Sequence, residues 1–164
     1  MVENPRMDIT KLAPEAYKHL LQLEQTVAPK LDRKLYHLIK LRASQINGRA
    51  FCIGMHSDEA LRDGDTAERL LLLDAWEESS AFSEKERAAL KWVDELTLIS
   101  ETHASQEAFE GLKRFFSEEE IANLTLAVAL INTWNRIAIS SRAQYDRKYF
   151  EQISAARAKV TEPA

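Results

Sequence analysis

Apolar residues recur along this chain at three- and four-residue spacing, and the gaps between the periodic stretches carry helix-capping signals. Pro14-Glu15 opens a first helix with Ala16, Leu20 and Leu23 on its apolar side, and Pro29 stands just past its end. A second starts after Asp32, presents Leu35, Leu38, Ile39 and Ile46, and stops at Asn47-Gly48. A third runs from about Arg49 to Asp63-Gly64. Asp65-Thr66-Ala67-Glu68 reads as a capping box ahead of Leu70 to Trp76. Two further boxes begin at Ser83 and Ser117, with Glu86 and Glu120 three residues on. The first leads into a helix with Ala89, Trp92, Val93 and Leu96, the second into a long helix through Ile139. Between them Ser105 caps a short amphipathic helix with Phe109, Leu112 and Phe116. The segment after Tyr145 is charged and alanine-rich, a helical or frayed tail.

Only four glycines and four prolines interrupt the chain, and no apolar–polar alternation bounded by hairpin turns is present. The expectation is an all-α fold, one helical domain over residues 1–164 with its core at about 14–142. In the long helix Ala127, Leu130, Ile131 and Trp134 form a stripe that Val128 and Ile137 widen. A helix so apolar is either the centre of the fold or part of an oligomer interface. Trp76 and Trp92 read as packing anchors, and His19 and His103 as surface residues.

Composition narrows the function class. The net charge is −4, from 22 basic and 26 acidic residues spread without a basic stripe, which argues against nucleic acid as a partner. No apolar run reaches membrane-span length, and the first residues lack the apolar region of a signal peptide, so no membrane is expected. One cysteine rules out a disulfide within the chain and fits a reducing, cytoplasmic setting.

That cysteine lies in the most informative stretch, Leu35 to His56. The pattern is a helix, an Asn47-Gly48 break, and a new helix with Cys52 in its first turn. Unpaired backbone N–H groups and the positive end of the macrodipole there favour a thiolate. Arg49 three residues before and His56 four after can share its face, to stabilise or to accept the thiol proton. The bland alternative is a small apolar filler beside a satisfied histidine.

The run Leu41-Arg42-Ala43-Ser44-Gln45-Ile46-Asn47-Gly48, then Phe51-Cys52 and Met55-His56, closely resembles the core of the AhpD-like alkylhydroperoxidase (carboxymuconolactone decarboxylase) family. Ile131-Asn132-Thr133-Trp134-Asn135-Arg136 is also similar, and the resemblance spans most of Pro14 to Arg142. It implies an all-α fold assembling as a homo-oligomer (dimer, trimer or hexamer), with no bound cofactor. Redox members carry Glu-x11-Cys-x2-Cys-x3-His: the second cysteine attacks a peroxide, the first resolves the sulfenic acid, and the glutamate and histidine relay protons. By position Cys52 matches the peroxidatic cysteine and His56 the motif histidine. Arg49 stands at the resolving cysteine, His37 at the glutamate, and Gly54 where aspartate is common.

Three readings follow. A one-cysteine thiol peroxidase would use Cys52, His56, Arg49 and His37 as its catalytic set, with an external thiol or redox protein as reductant. A degenerate oligomeric scaffold would keep the fold without the chemistry. A non-redox member would act as a decarboxylase, Arg49 holding a carboxylate, or bind zinc through Cys52, His56 and His37. Asn132, Asn135 and Arg136 are expected to serve structure or assembly.

Overall fold

The computed structural model describes residues 4–143 of the chain. Among them are nine α-helices: α1 (Ile9–Leu12), α2 (Pro14–Val27), α3 (Arg33–Ile46), α4 (Ala50–Arg62), α5 (Ala67–Leu72), α6 (Glu84–Thr97), α7 (Ile99–Thr102), α8 (Gln106–Lys113) and α9 (Glu118–Ser140). Short 3-10 turns follow α2 and α5, at Ala28–Lys30 and Leu73–Ala75, and no strand occurs among the described residues. The expected all-α class stands. The tail expected after Tyr145 lies outside the described residues.

Most helices begin where capping chemistry places them. Ser83 and Ser117 form full capping boxes with Glu86 and Glu120, Asp32 caps α3 through Leu35 N–H, and Ser105 caps α8 through Ala108 N–H. At α5 the expected box is replaced. Thr66 caps the helix by accepting from Arg69 N–H, while the Asp65 carboxylate is drawn to Arg69 Nε at 2.9 Å. The helix expected through Trp76 ends at Leu72 and tightens into a 3-10 turn.

The centre of the molecule is α3, buried without interruption from Leu35 to Leu41 and again at Ala43 and Ser44. It packs against α4, α6 and α9. On one side Ile39 joins Val93, Leu112, Leu124 and Val128; on another Leu38 and Leu41 meet Ala60, Leu73, Trp76 and Leu90. A smaller cluster of Val27, Tyr36, Ala127 and Leu130 fastens α2 to α3 and α9. A helix enclosed all round loses water from its polar residues too, so each needs a partner. Arg42 forks onto Asp94 of α6 through Nε and Nη2 at 2.8 and 2.9 Å, and Asp94 also accepts from Trp76 Nε1. Ser44 and Asn135 of α9 are linked at 3.3 Å, and Asn47 donates to Asn132, which Arg136 and Thr97 also engage. These contacts have Asn132 and Asn135 joining helices, while Arg136 braces Asn132 from one turn along α9.

One expectation about α2 fails in a useful way. Ala16 and Leu23 face solvent, Leu23 being 40% exposed, and the inward line runs through Tyr17, Leu20, Leu21, Glu24 and Val27. A glutamate therefore takes the place expected for a leucine, because Lys40 on the facing helix needs a carboxylate.

Asp94→Ala would leave the Arg42 guanidinium and the Trp76 N–H short of a partner in a mostly buried place. Urea unfolding is expected to show a loss of about 2–4 kcal/mol. A loss within experimental error would mean that Asp74, which also contacts Arg42, suffices alone.

Candidate active site

The site begins with the turn between α3 and α4. Gly48 adopts φ +65°, a conformation that costs glycine little, and Arg49 N–H returns to Ser44 C=O at 3.0 Å. Arg49 is the N-cap of α4, which puts Cys52 at the third helical position, inside the first turn. Cys52 is 4% exposed and lines a cavity of about 490 Å³. Residues from the N-terminal segment, α2, α3, α4 and the end of α9 line that cavity, with Leu21, Phe51, Met55, Trp134 and Ile137 among its apolar walls. Arg6 N–H, bonded to Ser141 C=O, ties the N-terminal segment across it.

Burial pushes the Cys52 thiol up from its ordinary value, against the lowering influence of the Arg49 and Lys40 charges and of hydrogen bonds with Ser44 and Arg49. The sequence pattern favours a thiolate; the structure corrects this, because loss of water outweighs the neighbouring cations.

His56 is 1% exposed and also lines the cavity. Its Nδ1 lies 2.8 Å from Glu59 Oε2, so Nδ1 carries the proton it donates to the carboxylate. Its Nε2 is then an acceptor, buried and without a hydrogen-bond partner. Burial first, then the Lys40 charge, push His56 down to about 4, while Glu59 pulls the other way. The imidazole is neutral at physiological pH, a free base lining the same cavity as the thiol.

Arg49 reaches the cavity too. Its Nη2 donates to Ala143 C=O, its Nε is buried without a partner, and its guanidinium lies 5.9 Å from the Phe51 ring centroid. His37 does not join this group. Its Nε2 is 2.5 Å from Asp63 Oδ2, and its Nδ1 is 3.9 Å from Glu59 Oε2, on the carboxylate that serves His56. The structure thus brings Cys52, His56 and Arg49 to one cavity and sets His37 outside its lining, in contact with Glu59. No group of three or more His, Cys, Asp or Glu side chains with metal-holding geometry occurs among the described residues, so His37, Cys52 and His56 do not converge as a zinc set.

Sequence reasoning missed three residues here. Glu59 follows His56 by one helical turn, a spacing that could have flagged it. Lys40 and Glu24 form an ion pair of 2.5 Å with side chains only 6% and 13% exposed, and both line the cavity. Lys40 lies one turn past His37 on the apolar helix, but its partner is on another helix and no local spacing reveals it.

An enclosed cysteine, a neutral histidine backed by a carboxylate and a helical hairpin that presents them together define an AhpD-like helical protein. The carboxymuconolactone decarboxylase family model matches residues 14–95, and the chain belongs to that family. The uncharacterized protein YdfG of Bacillus subtilis (strain 168) is 37% identical over 136 residues, covering 82% of this chain and 92% of that one. A crystal structure from Agrobacterium tumefaciens superposes with a TM-score of 0.84 at 46% identity, covering 87% of this chain and 99% of its own. That protein is of unknown function and provisionally assigned to AhpD antioxidant defence. The debrominase Bmp8 has a TM-score of 0.72 at 21% identity, over 88% of this chain and 80% of its own, a likeness of fold.

Neutral burial of His56 makes stability depend on acid. The folded state holds its value at about 4, below the ordinary 6.5, so its contribution is complete above 6.5 and is lost as pH falls toward 4. The loss is on the order of 3 kcal/mol. Chemical unfolding of His56→Gln against the unsubstituted protein, between pH 7 and 4, is expected to show a shallower decline in the variant. Parallel curves would show that His56 takes up its proton as readily folded as unfolded.

Proposed function

We propose that this protein is a one-cysteine thiol peroxidase of the AhpD-like family, with Cys52 as nucleophile and His56 as its base. The observation that carries the reading is the unpartnered His56 Nε2 in the same cavity as the Cys52 thiol, with Glu59 fixing its tautomer. His56 Nε2 would take the thiol proton as Sγ attacks the distal oxygen of an organic hydroperoxide. The O–O bond breaks, the proton passes to the departing alkoxide, and Cys52 becomes a sulfenic acid with release of an alcohol. With Arg49 where a second cysteine would stand, resolution falls to an external thiol. That thiol forms a mixed disulfide and water, and a second thiol restores Cys52. Arg49 supports the charge developing on sulfur. His37 acts at one remove, through the Glu59 carboxylate that holds His56. The apolar cavity walls suit a peroxide with a hydrocarbon body.

The raised Cys52 thiol favours a second reading, a helical scaffold whose cysteine is inert. Mass spectrometry of reduced protein, briefly exposed to organic hydroperoxide with a sulfenic-acid trap, separates the two. Stoichiometric adduct at Cys52, absent in Cys52→Ser, is the expected result. No adduct under conditions that oxidise a known thiol peroxidase would leave the scaffold.

A second test restores the missing thiol. Arg49→Cys places a cysteine at the N-cap of α4, three residues before Cys52, and oxidation is expected to lower the protein's mass by two hydrogens. Pairing it with His37→Glu would set a new carboxylate beside Asp63 and Glu59, so the single substitution is the cleaner one. An oxidised Arg49→Cys protein that keeps both thiols would show that the two positions do not meet as a redox pair.

A further inference from the structure

The Glu24–Lys40 pair is the feature of the cavity that the proposed chemistry leaves unused. Two charged side chains have been withdrawn almost wholly from water, and their 2.5 Å contact joins α2 to α3 across the cavity wall. Tyr36 fills in around it: its hydroxyl lies 3.3 Å from Glu24 Oε1, and its ring centroid lies 4.9 Å from the Lys40 ammonium. A pair of this kind costs heavily in desolvation, and apolar residues of similar size would hold two helices together at least as well. Its position suggests another use. Lys40, on α3, is among the groups that line the space shared by Cys52 and His56.

We propose that Lys40 is a positioning cation of the reactive site, anchored by Glu24, whose charge stabilises negative charge on Cys52 Sγ and keeps His56 free of a second proton. This deepens the reading of Cys52 as the reactive thiol and rests on it. The site faces two opposed demands. Glu59, hydrogen-bonded to His56 Nδ1, draws a proton to the imidazole, and burial keeps the thiol protonated. A cation near both works against each of these tendencies, and Lys40 lowers both groups. The other charged or polar groups acting on them are Arg49 and Ser44 at the thiol and Glu24 and Glu59 at the imidazole. Glu24 partly offsets Lys40 at His56, so the anchor limits the cation as well as holding it. Arg49 stands at the N-cap of α4 with its guanidinium donating to Ala143 C=O, so the two cations come from different elements.

The test follows thiolate ultraviolet absorbance against pH, with each variant's Cys52→Ser form subtracted to remove tyrosine ionisation. The His56 ring is followed separately by NMR. Lys40→Met and the double substitution Glu24→Gln, Lys40→Met remove the charge; the double leaves no unpaired carboxylate in case the single substitution fails to fold. Both are expected to move the Cys52 and His56 titrations to higher pH. At a fixed pH below the midpoint the thiolate fraction then falls severalfold, roughly tenfold for every pH unit by which the midpoint rises. Lys40→Arg keeps the charge and is expected to stay close to the unsubstituted curve. A merely structural role gives a different signature. Loosened packing would admit water, relieve the burial that raises the thiol, and move Cys52 to lower pH. That movement, or unchanged titrations in the double variant, would overturn the proposal. These readouts need no turnover, so absence of sulfenic acid in the trapping experiment would remove the peroxidase reading without disturbing them.

Discussion

Enclosure of α3 on all sides is the constraint from which the rest of this structure follows. A helix buried from Leu35 to Leu41 would be simple if it were wholly apolar, but it carries His37, Lys40, Arg42 and Ser44. Each polar group, once out of water, needs its own partner, and each partner comes from a different place. Asp63 at the end of α4 takes His37, Glu24 of α2 takes Lys40, Asp94 of α6 takes Arg42, and Asn135 of α9 takes Ser44. Apolar packing gathers the helices around α3; these four contacts fix their rotation about it.

The same constraint builds the cavity. With α2 held at Lys40 and α9 at Ser44, their residues and the N-terminal segment line the space beside the first turns of α4. Cys52 and His56 open into it one helical turn apart. Enclosure then sets their chemistry in two directions: it holds the thiol protonated and the imidazole neutral. The charges of Lys40 and Arg49 push the thiol the other way. The site is therefore a balance between lost hydration and placed charge, and small changes in either should be felt at sulfur.

Much of this was legible in the sequence because it is local. Capping boxes at Ser83 and Ser117, the Asn47-Gly48 stop and the apolar periodicity each involve residues within a turn or two of one another. So does the Arg49, Cys52, His56 spacing along one helix. Where local signals compete, sequence reading slipped: Asp65 reads as a cap until Arg69 is seen to hold its carboxylate.

By itself the sequence determined an all-α chain, its family and the placing of Cys52 and His56 one turn apart on one helix, because backbone periodicity and short motifs are written in neighbouring residues. The tertiary structure decided which polar groups meet and which lose water. It turned Glu24 rather than Leu23 inward, moved His37 behind Glu59, and raised the thiol that the helix start alone would lower. Those outcomes depend on partners many residues away and on the low polarity of an enclosed site, and neither is a property of any short stretch of chain.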